Sequence, residues 1–293
     1  MQNVIASLII PSLDRQEIVF DTVKQFEFQT AKQFELIVID QSDSVSVRLN
    51  EYISSNFQFV YKRIKEKGLP NARNTAASLA KGEILIFVDD DILPDKNLIV
   101  DFIKELDQNS REDSVIGGRI QENNSGIMNT NPEIVGGKIT CYGKPIRNFN
   151  SEKSGNCEWV AGGNFAVRKK FFLKIKGFDK NFIGNAMLED CDFCFTVKEK
   201  GGQVYYSPRP FIEHLRVKTG GTRQINRSKG MFYRAHNTIY FLRKHGLKLR
   251  LITAFLYLNA VAIKDLFLRR HGISAIFWNW MGYFKGLIIK LPV

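Results

Sequence analysis

The chain has 293 residues, which suits one large α/β domain with a smaller appendage, or two small domains. Its 44% of hydrophobic residues argues against a disordered chain. The net charge of +12 is concentrated at one end: residues 216–293 contain fifteen Lys and Arg and one acidic residue, Asp265, a net +14 that leaves −2 for residues 1–215. Such a basic region can bind nucleic acid, anionic lipid or a phosphorylated substrate, or can be a solvated face that only aids solubility.

The sequence shows no clear secretion signal or membrane span. The first thirteen residues lack a basic start, and Ser7, Pro11 and Ser12 interrupt their apolar run. The longest uncharged apolar stretches, Leu251–Ile263 and Gly272–Phe284, have thirteen residues each, short of the roughly 20 that span a bilayer. A cytoplasmic protein without a transmembrane helix is therefore predicted.

Two of the four cysteines, Cys191 and Cys194, form a C-x-x-C pair. Such a pair can mark zinc binding or redox chemistry. No second C-x-x-C pair exists in the sequence, and this one lies in a helical pattern with aromatic residues. Buried thiols in a reducing compartment are the favoured interpretation.

The first half of the chain alternates between short apolar runs, typical of buried strands, and segments with helical spacing. Strands separated by single helices predict βαβ units and a mostly parallel sheet, whose ligands bind at the carboxyl ends of the strands. Asp40 and Asp89–Asp91 lie at such ends. The predicted strands are Val4–Ile10, Phe34–Ile39, Phe57–Ile64 and Glu83–Val88, and the predicted helices are Glu17–Gln29, Val47–Ser54, Leu69–Ala80 and Asn97–Leu106.

The second half is less regular. Asn123–Asn156, rich in Gly, Asn, Pro and Ser, is expected to form a long loop. After Gly220-Gly221 we expect helices in which basic and apolar residues are mixed. The remaining predicted strands are Val115–Ile120, Trp159–Val167 with an interruption at Gly162-Gly163, Gln203–Tyr206 and Phe211–His214. The predicted helices are Lys169–Ile175 and Leu188–Lys200.

Three adjacent carboxyl groups, those of Asp89, Asp90 and Asp91, follow a very apolar predicted strand. They repel one another, so folding them together is costly without a cation. Alternate residues of an extended segment point to the same side, so Asp89 and Asp91 can share a face. Hard oxygen ligands suit Mg²⁺ or Mn²⁺, which also bind phosphate oxygens. A divalent metal site is therefore predicted, against the alternative of an acidic turn that caps the helix after Pro94.

Glu189 and Asp190 open the predicted helix Leu188–Lys200. Carboxylates are favoured beside the exposed amide groups of a first helical turn, so the pair can be purely structural. The functional interpretation is a general base that deprotonates an acceptor hydroxyl.

Three further signals are weaker alone. The segment Lys67–Asn74 combines a turn, a helix start and Arg73, and could bring positive charge and helix-terminal amides near a phosphate. His214 is either a metal ligand or a core histidine. The segment Lys218–Arg223 is a basic, glycine-containing loop that could cover a phosphate.

In their order and spacing, these motifs resemble the family 2 inverting glycosyltransferases over roughly residues 4–225. The matching segments are Ile9–Ser12 with Arg15, Val38–Ser42, Gly68–Asn74, Phe87–Asp91, Gly162–Asn164, Glu189–Asp190, and His214 with Gly220–Arg223. The chain lacks the Q-x-x-R-W motif and the several membrane helices of polymer synthases in this family, which favours addition of a single sugar.

The resemblance implies a GT-A fold, an α/β architecture with a Rossmann-like, mostly parallel central sheet, in residues 1–225, and a C-terminal helical region in residues 226–293. It implies Mg²⁺ or Mn²⁺ held by Asp91, Asp89 and His214, and Asp190 as the base beside Glu189. The implied nucleotide and donor contacts are Pro11, Ser12, Arg15, Asp40, Gly68, Arg73, Asn74, Asp89, Asp90, Gly163 and Arg223.

The predicted function is sugar transfer from a nucleoside diphosphate sugar, UDP or dTDP being favoured over GDP, to a glycan or polyprenyl-linked acceptor in bacterial surface polysaccharide synthesis. One alternative is a sugar-phosphate nucleotidyltransferase, which is disfavoured because Pro11–Asp14 is not a glycine-rich basic loop. Another is a non-enzymatic protein that binds nucleic acid or membrane. Nucleic acid is not an expected partner, because the basic region is strongly apolar and contains no recognised nucleic-acid module.

The C-terminal segments Leu249–Leu268 and Ile273–Ile289 mix aromatic, aliphatic and basic residues. Trp278, Trp280 and their neighbours suit a helix lying in a membrane interface. The prediction is peripheral binding to the cytoplasmic face of an anionic membrane, where a lipid-linked acceptor would lie. A helix pair packed on the catalytic domain and a homodimer interface are the alternatives.

Overall fold

A computed structural model of the protein describes residues 4–108, 111–122, 132–217, 219–221, 227–267 and 273–292. The described residues form one large mixed sheet of nine strands, a separate two-stranded sheet and a set of flanking helices. The first-half elements are β1 (Ala6–Ser12), α1 (Gln16–Gln25), a 3₁₀ turn (Phe26–Phe28), β2 (Phe34–Asp40), α2 (Val47–Asn50), β3 (Gln58–Arg63), α3 (Leu69–Leu79), β4 (Ile84–Val88), β5 (Ile92–Pro94) and α4 (Leu98–Gln108).

The middle of the chain completes the sheet. Its elements are β6 (Ser114–Glu122), β7 (Gly136–Ile139), β8 (Pro145–Asn148), β9 (Gly155–Asn156), β10 (Asn164–Arg168), α5 (Lys169–Lys174), α6 (Glu189–Glu199) and β11 (Gln203–His214). Every residue of β1, β2 and β4 is buried, as expected for strands covered on both faces, and this explains their uninterrupted apolar runs.

The strand order in the large sheet is β3-β2-β1-β4-β10-β6-β11-β5, and β9 pairs with β11. Strands β1 to β4 pair in parallel, as do β6 and β11, whereas β10 runs antiparallel to both β4 and β6. The predicted α/β class with a mostly parallel sheet is confirmed. The carboxyl ends of β1, β2 and β4 meet at one edge, which brings Ser12, Asp40 and Asp89 to the same end of the sheet.

Four details differ from the predictions. The segment expected to be a loop, Asn123–Asn156, contains the β7–β8 hairpin and β9 in its described part. The two strands predicted around Pro208 are one strand, β11, with an irregular pairing between Tyr206 and Phe211. The helix predicted at Val47–Ser54 is a single turn. Of the strand predicted at Trp159–Val167 with an interruption at Gly162-Gly163, only the part after the two glycines is a strand, β10.

The strand β5 was not predicted, because three residues are too few to produce an alternating pattern. It pairs antiparallel with the end of β11, and His214 lies opposite Ile92 in the register. This pairing brings the histidine beside the aspartates that precede β5.

Three helices end the chain: α7 (Arg227–Lys244), α8 (Arg250–Phe267) and α9 (Ser274–Ile288). Helix α7 belongs to the same hydrophobic core as the sheet, through Ala235 and the buried run Ile239–Leu242. The segments 1–225 and 226–293 differ in sequence pattern, but side chains from both pack in one core. The predicted domain boundary between them stays a prediction.

Helix α9 packs closely on α7. A Cβ at Gly282 would lie 2.2 Å from Phe232 O, and a Cβ at Gly286 would lie 2.8 Å from His236 O. Small residues at these positions let the two helix backbones approach. None of the helices in the described parts of the chain is both long and apolar enough to cross a membrane.

The C-x-x-C cysteines are buried and free, as predicted. Burial raises the pKa of the Cys191 and Cys194 thiols well above the ordinary value, so both are inert packing residues rather than thiolates.

Candidate active site

A cleft of about 270 Å³ lies at the carboxyl ends of β1 and β4, where α/β sheets bind their ligands. A larger cavity of about 910 Å³ lies at the opposite end of these strands and is lined by none of the predicted site residues, so the smaller cleft is the candidate site. Its lining residues are Pro11, Ser12, Leu13, Arg15, Gln41, Lys67, Gly68, Leu69, Asp89, Asp90, Asp91, Gly184, His214 and Gly221.

Asp89, Asp91 and His214 converge at one side of this cleft. His214 Nε2 lies 3.4 Å from Asp89 Oδ2 and 3.3 Å from Asp91 Oδ1. The Val217 amide donates to Asp91 Oδ2 at 2.9 Å. Burial opposes ionisation of Asp89, but His214 and Arg73 outweigh it and hold the pKa of this carboxyl below its ordinary value. Two carboxyl groups thus face one imidazole.

Asp89, Asp91 and His214 carry the kinds of side-chain donor that metal sites use. The described residues contain no group of three or more His, Cys, Asp and Glu side chains arranged as a complete metal site. Asp89 Oδ2, Asp91 Oδ1 and His214 Nε2 are nevertheless an oxygen- and imidazole-based donor set that suits a divalent cation. Their spacing of 3.3–3.4 Å also fits a direct carboxylate–imidazole contact. The chemistry of the donors fits a metal, and the geometry alone does not require one.

Asp90 has a different environment from its two neighbours. Ser12 Oγ and Arg15 Nη1 each donate to its carboxylate at 2.8 Å, and Thr22 Oγ1 donates to its main-chain oxygen. Burial raises the pKa of Asp90 to about 6 despite the neighbouring Arg15. Through these hydrogen bonds Asp90, Ser12 and Arg15 hold one another in place in the wall of the cleft.

Arg15 also holds the segment that follows β11. Its guanidinium donates to Thr219 O at 2.8 Å and to Val217 O at 3.0 Å, while its Nη1 lies 3.4 Å from Asp91 Oδ2. The side chain is only 6% exposed. One buried cation thus joins the aspartates to the main-chain oxygens of Val217 and Thr219.

Asp40 is fully buried and does not line the cleft. Its carboxylate accepts hydrogen bonds from Gln16 Nε2 at 2.9 Å, Tyr61 Oη at 2.8 Å and the Ser42 amide at 2.8 Å. In this arrangement Asp40 shapes the loop after β2, and the cleft-lining side chain from that loop is Gln41, which the sequence did not single out.

The start of α3 borders the cleft. Gly68 precedes the helix at a φ of 144°, a conformation that side-chain-bearing residues rarely adopt. Its amide donates to Gln41 Oε1 at 2.6 Å. Further along α3, Asn74 exchanges two hydrogen bonds with the main chain of Phe178, at 2.8 and 2.9 Å. Asn74 thus anchors α3 to the chain before α6.

Arg73 connects the two groups of acids. It is 1% exposed, its Nη1 pairs with Glu189 Oε1, and its Nη2 donates to Gly162 O at 2.7 Å and lies 3.8 Å from Asp89 Oδ1. Because burial disfavours its charge, the pKa of Glu189 is raised to about 8. Asp190, which lies beside this pair and whose Oδ2 accepts the Gly162 amide at 3.3 Å, also has a pKa raised by burial.

The glycine pair before β10 fills the space between these acids. A Cβ at Gly162 would lie 2.7 Å from Arg73 Nη1, and a Cβ at Gly163 would lie 2.2 Å from Asp89 Oδ2. The two glycines let the strand entry pass between the Asp89 side and the Glu189-Asp190 side of the site.

The sequence profile described as glycosyl transferase family 2 matches residues 7–175, more than half of the chain. The chain belongs to glycosyl transferase family 2. This membership agrees with the family that the motifs predicted, and it favours glycosyl transfer over nucleotidyl transfer. A relative in Bacillus subtilis strain 168, named "Uncharacterized glycosyltransferase YfnE", is 34% identical over 102 residues, which are 34% of this chain and 26% of that protein. The match thus spans about a quarter of the relative.

Solved glycosyltransferase structures share the fold of this family 2 chain. Staphylococcus aureus TarS 1–349 in complex with UDP-GlcNAc has a TM-score of 0.65 at 13% identity and covers 95% of this chain and 79% of its own. GalNAc-T7 with UDP, GalNAc and Mn²⁺ has a TM-score of 0.64 at 17% identity and covers 83% and 48%. Pyrobaculum calidifontis mannosyltransferase PcManGT, in complex with GDP-Man and Mn²⁺, has a TM-score of 0.57 at 14% identity. The match covers 98% of this chain and 86% of that protein. The predicted GT-A fold is confirmed.

The structure thus brings together Pro11, Ser12, Arg15, Gly68, Asp89, Asp90, Asp91 and His214 at the cleft, and joins Arg73, Gly163, Glu189 and Asp190 to them through contacts. Arg223 and Lys218 lie outside the described residues. Sequence reasoning missed Gly184, which lines the cleft at a φ of 66° with the Tyr233 ring packed against it. Its only sequence signal is an isolated Gly-Asn dipeptide before the acid pair.

Proposed function

We propose that this glycosyltransferase is a metal-dependent inverting enzyme that transfers one sugar from a nucleoside diphosphate sugar to a hydroxyl group of a glycan or polyprenyl-linked acceptor. The observation that carries the proposal is the pairing of two acidic groups, Asp89–Asp91 and Glu189–Asp190, on either side of Gly162-Gly163. One-step inversion needs such a division, because the base must act on the opposite side of the sugar from the leaving diphosphate.

On the donor side, Asp91, Asp89 and His214 would hold Mg²⁺ or Mn²⁺. A bound cation would neutralise the negative charge that develops on the leaving nucleoside diphosphate. The main-chain amides at the start of α3, after Gly68, would favour a phosphate at the helix N-terminus. Ser12, Arg15 and Asp90 would act mainly by holding the cleft in shape, since their hydrogen bonds are made within the protein.

On the acceptor side, Asp190 would accept the proton of the attacking hydroxyl group. Its carboxylate is oriented by the amides of Gly162 and Cys191, at 3.3 and 2.8 Å. The raised pKa of Asp190 makes it a stronger base than an exposed aspartate. Glu189 would be a positioning residue that holds Arg73, because its Oε1 is already paired with that guanidinium.

The choice of donor is a further part of the proposal. Known structures with the same fold bind UDP, UDP-GlcNAc or GDP-Man, and we favour UDP or dTDP over GDP, as the motifs suggested. A polyprenyl-linked or glycan acceptor in bacterial surface polysaccharide synthesis, and single rather than processive addition, complete the proposed role.

Calorimetric titration with UDP, dTDP, GDP and CDP, with and without Mn²⁺, tests the donor side. We expect metal-dependent binding of one nucleotide that is lost in Asp91→Ala and kept in Asp190→Ala. Binding of that nucleotide with equal affinity in the presence and absence of Mn²⁺ would contradict the metal assignment. No binding of any nucleotide by the folded protein would contradict the proposal as a whole.

A further inference from the structure

Helices α8 and α9 carry most of the large apolar side chains that this chain exposes. Of the seventeen found exposed among the described residues, eleven lie between residues 249 and 288. Leu249 is 94% exposed, Phe267 80% and Ile288 81%. Contiguous exposed apolar surface of this kind is unusual for a protein surrounded only by water, and it marks an interaction site.

The exposed side chains form one stripe on each helix. On α8, Ile252, Leu256, Ile263 and Phe267 follow one another at intervals of four, seven and four residues, which keeps them on one side of a helix with 3.6 residues per turn. On α9 the intervals are three, one, three and four residues, which also keep the exposed side chains on one side of the helix. Its exposed residues are Phe277, Trp280, Met281, Phe284 and Ile288.

The opposite side of α9 is covered by the protein. Its buried residues are Ala275, Asn279, Gly282 and Gly286, and the two glycines pack on the main chain of α7. Helix α9 therefore uses its small residues for packing inside the protein and leaves three of its aromatic residues, Phe277, Trp280 and Phe284, exposed. A helix that packs its large aromatic side chains into the core of its own chain would show the opposite arrangement.

The two stripes lie on the same side of the helix pair. The Phe255 ring contacts the Tyr283 ring at 5.0 Å, and Trp280 Nε1 donates to Asn259 Oδ1 at 2.8 Å. Since the contact moves forward along α8 as it moves backward along α9, the helices run antiparallel. Going around each helix from this contact, the exposed residues are displaced in the same rotational sense. In an antiparallel pair this places both stripes on one side, so together they form one surface, which we call the apolar face.

The surroundings of the apolar face are basic. Residues 247–293 contain seven Lys and Arg and one acidic residue, Asp265. Lys248, Lys264, Lys285 and Lys290 are exposed. A protein partner with an apolar surface would need acidic residues to match these charges, whereas an anionic bilayer supplies both an apolar interior and negative headgroups.

We propose that the apolar face of α8 and α9 docks on a bilayer containing anionic phospholipid, with the aromatic and aliphatic side chains entering the headgroup boundary and the lysines contacting the headgroups. A second copy of the chain fits less well, because a two-fold interface would place the same positive region against itself. Docking would also set the orientation of the catalytic cleft, since α7 lies between the face and the cleft and its Tyr233 packs on Gly184.

Vesicle flotation of the full chain tests the proposal without any donor or acceptor. The protein is mixed with vesicles of phosphatidylcholine alone or of phosphatidylcholine with phosphatidylglycerol. We expect flotation with the anionic vesicles, weakened by added salt because the lysines contribute by charge. Flotation that is equal with both vesicle types would overturn the anionic part of the proposal, and no flotation with either would overturn it entirely.

A matched pair of variants locates the binding surface. Leu256→Ser with Phe284→Ser removes two members of the apolar face, which are 63% and 53% exposed. The control, Ile53→Ser with Phe28→Ser, removes two side chains that are 89% and 73% exposed elsewhere on the molecule. The first double variant is expected to weaken binding by about tenfold or more and the control to bind like the unsubstituted chain. Equal losses in both variants would contradict the assignment to α8 and α9.

Two further measurements keep the outcome interpretable. If Leu256→Ser with Phe284→Ser unfolds, Lys264→Glu with Lys285→Glu replaces it, and this variant should lose the preference for anionic vesicles. Sedimentation velocity tests the alternative that a second copy of the chain covers the apolar face. The proposal would be overturned if the parent chain is a dimer that does not bind vesicles and if Leu256→Ser with Phe284→Ser dissociates this dimer. Because nucleotide binding is measured separately, failure of membrane docking is distinguishable from failure of the proposed function.

Discussion

Gly163 lies so close to Asp89 that a Cβ at position 163 would come within 2.2 Å of Asp89 Oδ2. The Gly163 carbonyl also accepts the Asp89 amide at 3.3 Å. Residue 163 therefore determines where the Asp89 carboxylate can sit, and Asp89 in turn contacts His214 and Arg73. A substitution at Gly163 should therefore shift Asp89 directly and affect Glu189 through Arg73, which contacts both acids, without altering any charge.

Gly163→Ala is expected to weaken Mn²⁺-dependent nucleotide binding by about tenfold or more, because the new methyl group must displace the Asp89 carboxylate. The control is Gly230→Ala, since a Cβ at Gly230 meets no atom within 4 Å. Calorimetry with the nucleotide identified for the unsubstituted chain measures both. Unchanged affinity in a folded Gly163→Ala protein would show that the position of Asp89 does not matter for binding.

Glu189→Ala should destabilise the protein by about 2–3 kcal/mol, because the buried Arg73 guanidinium loses the hydrogen-bond acceptor Glu189 Oε1. Glu189→Gln retains an oxygen acceptor and should cost clearly less. Urea unfolding at neutral pH measures both variants. Glu17→Ala, which removes an exposed partner of Arg48, is the control and should change stability by less than about 1 kcal/mol. Equal stabilities for the alanine and glutamine variants would contradict the assigned contact.

The pH dependence of the same pair gives a second test. The pKa of Glu189 is raised from an ordinary 4.5 to about 8 in the folded protein, so between these values the folded state holds a proton that the unfolded state has lost. The contribution of this group to stability therefore falls as pH rises from about 5 to about 8. Glu189→Gln lacks this proton, so its stability relative to the unsubstituted chain should increase over that range. A difference that does not change with pH would contradict the raised pKa.

The sequence predicted the main strands and the acidic motifs well, because fully buried strands leave long apolar runs that end at polar residues. It could not predict how His214 meets the aspartates. That contact depends on β5, a three-residue strand that pairs with the end of β11, and so on a register between segments more than a hundred residues apart.

The sequence also could not predict the hydrogen-bond partners of each site residue. Asp40 and Asn74 matched family positions for the donor, yet the structure shows their side chains bonded within the protein, to Tyr61 and to the main chain of Phe178. Hydrogen-bond partners of this kind come from distant parts of the chain, and a motif records only the residue that is present. Whether these side chains also contact a nucleotide stays a prediction.

Asp190→Asn should reduce turnover by about 10²- to 10⁴-fold, because the proposed base is removed, while nucleotide binding stays unchanged. In the unsubstituted enzyme, kcat/KM should fall as pH drops through the pKa of Asp190, which burial places above the ordinary 3.8. Activity is measured with the donor whose nucleotide binds. The control is Asp107→Asn, an exposed acid paired with Arg168, and full activity in Asp190→Asn would remove that residue from the mechanism.

Lys244 tests whether α7 is an integral part of the catalytic fold. Its ammonium lies 2.9 Å from Asp179 Oδ2 and 2.8 Å from Asp192 Oδ2, and so joins the end of α7 to α6 and to the chain before it. Although burial opposes its charge, the two carboxylates raise the pKa of Lys244 above its ordinary value. Its stabilisation is therefore intact at neutral pH and is lost only as pH rises through that raised pKa.

Lys244→Met keeps the length of the side chain but leaves two carboxylates without their shared cation. We expect a loss of about 2–4 kcal/mol in the free energy of unfolding, together with faster proteolysis within α7. The control is Lys248→Met, an exposed lysine beyond the end of the helix, which should change stability by less than about 0.5 kcal/mol. If Lys244→Met is as stable as the parent chain, α7 does not depend on this contact. A large loss confined to Lys244→Met, with unfolding still in a single transition, would tie α6 and α7 into one cooperative unit and would contradict a division between domains near residue 225.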